Sequence, residues 1–158
     1  MKRLIYREGS WFAVPLGGGG YSVGVVARMA PRGRIVCGYL FGPRREFPPA
    51  LAEFSLLRPN DAIRCLRLGD LGLINGEWPV IGELPEWRRE EWPIPPYIRR
   101  NELSRRAWRC IYSADDPSKI EREEPVPYDA NGLESDGLCG YGFVEDVMTK
   151  LLAGDQKA

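Results

Sequence analysis

The chain has 158 residues, 44% hydrophobic and 28% charged, a balance that excludes a wholly disordered chain and a membrane-embedded one, with length enough for a single core. It contains no histidine, which removes the commonest metal ligand and the usual general base and excludes a Ser-His-Asp or Cys-His device. Its 22 basic and 22 acidic side chains cancel overall but unevenly, since residues 1–60 carry nine Lys/Arg against three Asp/Glu and residues 110–158 carry four against eleven.

That polarity predicts an acidic patch from the C-terminal third if those side chains cluster, or cancellation if opposite ends of the chain meet across the fold. The stretch Met1–Glu8 starts with positive charge but reaches Arg7 and Glu8 before any signal-peptide apolar run develops, and no apolar run approaches the length of a membrane span. A cytoplasmic chain is expected. Cys37, Cys65, Cys110 and Cys139 are spaced singly with no Cys-x-x-Cys pair, so buried free thiols are preferred to a disulfide, and neither a metal site nor a cofactor is expected.

The first elements read as an antiparallel meander. Trp11–Leu16 and Tyr21–Met29 are β-rich runs joined by four glycines, a hairpin pattern. A phosphate-cradling loop would lead into a helix N-terminus, whereas a β-branched strand follows here, so the turn is preferred. Pro31-Arg32-Gly33 makes the next turn and Arg34–Phe41 the third strand, with Gly24 and Gly38 inside strands where they would allow sharp bending.

Ala62–Leu68 predicts a further strand. Leu71–Ile74 and Trp78–Ile81 flank Asn75-Gly76, the pattern of a hairpin closed by a type I′ turn, with Pro79 confining the second arm to a sheet edge or bulge. From Gly82 to Arg100 the composition turns to Glu, Arg, Trp and Pro, which predicts an extended surface path. Trp87, Trp92 and Tyr97 are then either anchors for a partner or rings folded inward over a sheet face, and the inward reading is preferred because exposed tryptophans harm solubility.

Trp108, Cys110 and Tyr112 alternate with Arg109 and Ile111 as one more strand. Residues 113–136 read as an acidic loop region carrying Asp115, Asp116, Glu121, Glu123, Glu124, Asp129, Glu134 and Asp136. No apolar pocket is evident to separate their pKa values for acid/base work, so a solvated acidic face is expected. A helix is predicted over about 142–153 from Phe143, Val144, Val147, Met148, Leu151 and Leu152, with Gly154 ending it. The sum is one α+β, mainly β domain over 1–158: a strongly bent antiparallel sheet or SH3-like barrel spanning 9–113, the acidic region, and the C-terminal amphipathic helix.

Four segments carry a resemblance. Gly9–Leu16 with its glycine turn and Tyr21, Asn75–Gly82, Trp92-Pro93, and Asp136–Gly142 before the last helix together resemble the immunity protein 26 family of bacterial polymorphic toxin systems. Many members of that family carry Asp directly after the first glycine, where this chain has Ser10, so no role for such an acid is carried over. The resemblance implies a cytoplasmic protein that blocks a cognate toxin by stoichiometric contact, without catalytic residues. The acidic third would then face the toxin, mimicking a phosphate backbone where the toxin attacks nucleic acid. A rival reading is a small nucleic-acid-binding or RNA-cleaving barrel using Arg28, Arg32, Arg34, Arg44 and Arg45, against which overall neutrality argues. A carboxylate-dependent hydrolase ranks last, since no spacing supports it.

Overall fold

The computed structural model describes residues 4–153; Met1–Arg3 and the expected helix terminator Gly154 lie outside the described residues. Two sheets form. The first has the order β4-β3-β2-β1-β5 and is built from β1 (Ser10–Pro15), β2 (Tyr21–Met29), β3 (Ile35–Arg45), β4 (Arg64–Gly69) and β5 (Val80–Glu83), all paired antiparallel. The glycine tract closes the β1–β2 hairpin, with Leu16 N–H donating to the Gly20 carbonyl at 3.0 Å and Gly18, Gly19 and Gly20 at positive φ. As Pro79 requires, β5 is an edge strand.

Both faces of this sheet are covered, which is why its strands read as nearly continuous apolar runs rather than alternating ones. One face carries Phe12, Val14, Val26, Leu40 and Leu68 against Leu73, Trp78, Val144, Met148 and Leu152. The other carries Trp11, Val23, Val25, Tyr39 and Phe41 against Phe54 and Trp92. Gly24 has a more specific role than bending: a Cβ there would stand 2.6 Å from Cζ of Phe12, whose ring stacks on Trp78 with centroids 5.5 Å apart. The missing side chain makes room for that stack.

The Asn75-Gly76 pair does not close a hairpin. Leu71–Ile74 is a helical turn, α2 (the second helix, after α1 at Leu51–Phe54), and Gly76 follows it at φ +84°. Positive φ serves a helix C-terminus as well as a type I′ turn. Tertiary packing decides between them, since Leu73 is buried in the first core while Trp78 N–H bonds back to the Gly72 carbonyl at 2.9 Å.

The second sheet has the order β8-β7-β6-β9, from β6 (Tyr97–Asn101), β7 (Arg106–Ser113), β8 (Asp116–Val126) and β9 (Glu134–Ser135), with β9 parallel to β6. The region read as an acidic loop therefore contains an 11-residue strand. Most β8 side chains are exposed, so no apolar alternation announced it; backbone pairing to β7 holds it in place. Neither sheet closes into a barrel among the described residues.

The last helix, α3 (Tyr141–Leu151), packs on the first sheet through Val144, Met148 and Leu152. The expected apolar face was wider: Phe143 and Leu151 are exposed and Val147 is half-buried. Two polar contacts orient the helix, from Gly17 N–H to Thr149 Oγ1 at 2.8 Å and from Trp78 Nε1 to Glu145 at 2.9 Å. No helix among the described residues is long and apolar enough to cross a membrane.

Candidate functional site

The eight acidic residues do not form a free patch. Asp115 pairs with Arg89 at 2.8 Å, Glu123 with Arg99, Glu134 with Arg64 at 2.7 Å, and Asp136 with Arg67 at 3.2 Å. Glu124 accepts from Arg109 at 3.0 Å and Arg122 at 3.1 Å, and these two cations hold its carboxyl below the usual carboxylate range. Cancellation thus comes chiefly from arginines in the middle of the chain, brought across by β4, β6 and β7. Asp116 accepts from Ser118, Glu121 stands 4.0 Å from Arg122, and Asp129 is exposed.

Asp136 has a structural place. Its side chain is about 10% exposed, and it accepts bonds from both Arg67 and the Tyr112 hydroxyl while the Arg67 guanidinium lies 4.0 Å from the Tyr112 ring. Burial and the bond to Asp136 push the Tyr112 phenol up. A carboxylate enclosed this way braces the two sheets and offers little to a partner.

The aromatic segment is also turned inward. Trp92 is 3% exposed and Tyr97 0%; Trp92 meets Trp11 and Tyr39 edge-on, with centroids 5.8 and 5.2 Å apart, and Tyr97 donates to the Cys65 carbonyl at 3.2 Å. As anchors for a partner these two are therefore corrected. Trp87 is half-buried, stacks on Trp92 and donates through Nε1 to Glu8 at 2.8 Å. The Pro-rich path exists because the second face of a sheet apolar on both sides needs a cover, which these rings supply.

Arg28, offered as part of a basic nucleic-acid surface, is buried. Its guanidinium donates to the backbone carbonyls of Ala27, Arg89, Trp92 and Ala114 at 2.6–2.9 Å, tying β2 to the covering segment and to the β7–β8 turn. Arg44 is engaged with the glycine tract, donating to the Gly19 carbonyl at 2.7 Å, so that tract turns carbonyls toward a cation and does not present an anion cradle. Ser10, fully buried, accepts the Arg7 N–H at 2.9 Å and donates to Glu83 at 3.1 Å.

The cysteines are free thiols. Cys37 and Cys65 lie with Sγ atoms 3.6 Å apart on β3 and β4, and burial raises the Cys65 thiol well above its ordinary range. Burial likewise pushes Cys110 up to about 11. Among the described residues no group of three or more His, Cys, Asp or Glu side chains is placed to hold a metal.

One feature escaped sequence reasoning. Arg99 and Arg100 on β6 and Arg105 and Arg106 on the return flank an exposed turn, and their guanidinium groups lie over Trp108 and Tyr128. The available signal was the pair of Arg-Arg doublets set symmetrically about Asn101–Ser104, which antiparallel pairing brings side by side.

No curated protein and no solved structure matches the chain. Residues 7–109, running from the segment before β1 into β7, match the family model of immunity protein 26. On that match, over more than half its length, the chain belongs to the immunity protein 26 family.

Proposed function

We propose that the protein neutralises a cognate toxin of a bacterial polymorphic toxin system by stoichiometric protein–protein contact, without chemistry of its own. Membership of the immunity protein 26 family carries this reading. The fold supports it: a sheet packed with apolar side chains on both faces is a preorganised platform from which exposed loops can dock with little ordering cost. The matched stretch, residues 7–109, ends before β8. Among the eight acidic residues of 113–136, Asp116, Glu121 and Asp129 are those without a close arginine partner among the described residues, and they are available to steer an encounter at the rim of a contact.

The test is co-expression with the toxin domain encoded by the neighbouring reading frame. Cells should survive only when the protein is present, and the purified pair should elute as one complex of fixed stoichiometry. Purified protein that cleaves RNA alone would replace this reading with the RNA-cleaving one, and cells that die despite its expression would overturn the immunity reading.

A further inference from the structure

The β6–β7 hairpin carries four arginines, Arg99, Arg100, Arg105 and Arg106, about its turn. Its pairing sets Arg99 opposite Trp108 and Asn101 opposite Arg106, so these side chains share one ribbon face. On that face the guanidinium carbons of Arg99 and Arg106 stand 4.9 and 5.5 Å from the Trp108 ring. On the other, Arg105 and Arg100 stand 4.1 and 5.8 Å from the Tyr128 ring. All four cations therefore rest on aromatic faces, an attraction that orients them. Arg99 also pairs with Glu123 and Arg100 donates to the Tyr128 and Ala130 carbonyls, so among the described residues it is Arg105 and Arg106 whose N–H edges are left for a partner.

Two further observations make this more than a solvated turn. Leu103, at the tip, is 99% exposed, an apolar side chain presented entirely to solvent. Arg105 has φ +56°, in the left-handed region where glycine or asparagine is accommodated more cheaply. An arginine kept in a strained position, with its side chain stacked and no carboxylate within 4.0 Å among the described residues, points to a use for the side chain beyond folding.

Resting on the immunity reading, we propose that this hairpin is the element that grips the toxin, and that it fits an acidic concave surface of a protein. Arginine and aromatic side chains around a projecting apolar residue are the composition of interface hot spots. Prior stacking lowers the side-chain entropy lost on docking. Charge complementarity selects an acidic partner. A protein is favoured over nucleic acid because Glu102 sits in the turn, where it would face phosphates, and because the whole chain is neutral. The turn with its four arginines and Trp108 falls within the matched residues 7–109, whereas Tyr128 and the acidic strand do not.

The experiment uses the full chain and the toxin domain from the neighbouring reading frame, with binding measured at low and moderate salt. R105E/R106E should weaken binding about tenfold or more and flatten its salt dependence, while its melting temperature stays that of the parent. R105G separates fold from function: glycine relieves the backbone strain, so melting should hold or rise while binding falls. L103S should shorten the lifetime of the complex. Charge-reversed protein that binds and protects as well as the parent would overturn the hairpin proposal and leave the immunity reading standing. Parent protein that neither binds nor protects would overturn the immunity reading and the hairpin with it. Tighter binding to a single-stranded RNA than to the toxin domain, lost in R105E/R106E, would overturn the choice of a protein partner.

Discussion

The two sheets are held by different forces. In the first, β1, β2 and β3 bury nearly every side chain on both faces, and the aromatic stacks around Trp11 and Phe12 fill the space between the sheet and its covers. In the second, most of β8 is exposed, and a small buried cluster of Tyr97, Cys110 and Tyr112 is supplemented by arginine–carboxylate pairs and cations on rings. Burial of large apolar side chains contributes about 1.5–3 kcal/mol each, against about 0–1 kcal/mol for an exposed ion pair. The first sheet therefore sets stability, while the second is free to vary its surface, as a recognition element must.

This contrast is open to direct attack. The largest effect is expected from Phe12→Ala, which empties a fully buried site between Gly24 and Trp78 and should cost about 3–5 kcal/mol in denaturant unfolding. Similar stability in that variant would mean the central sheet is not the main source of folding energy. Next comes Arg28→Met, which keeps the side-chain bulk but leaves the carbonyls of Arg89, Trp92 and Ala114 without their donor. A loss of about 2–3 kcal/mol is expected, with amide exchange rising in β6–β8 before β1–β3.

A smaller effect should follow acid. Burial opposes ionisation of Glu8, but hydrogen bonds from Arg89 and Trp87 outweigh it and hold the carboxyl below its ordinary value of 4.5. Stability from this group is thus present above pH 4.5 and lost as pH falls through the lower folded value; screening limits it to about 1 kcal/mol. Glu8→Gln should flatten the acid limb of a melting-temperature profile, and an unchanged limb would assign that stability elsewhere. The least effect is expected from Glu124→Gln, a melting temperature indistinguishable from that of the parent, because its partners Arg109 and Arg122 remain solvated. A clear drop in melting temperature would show that the second sheet depends on its ion pairs far more than exposed pairs usually allow.

By itself, the sequence determined those elements whose cause is local. The glycine tract between β-branched runs marked the β1–β2 hairpin, Pro79 confined the residues after it to an edge or a bulge, and Phe143, Val144, Val147, Met148, Leu151 and Leu152 announced the last helix, of which Val144, Met148 and Leu152 are buried. Tertiary structure decided what local signals leave degenerate or silent. Positive φ at Gly76 fits a hairpin or a helix end, and packing of Leu73 chose the helix. β8 has no apolar face to betray it, and only its ladder to β7 makes it a strand. Whether the acidic third was a free patch depended on which arginines reached it, and charges from residues 64–109 met it through pairings remote in sequence. Periodicity records which side of an element is dry; it carries no information about the distant partner that makes it so.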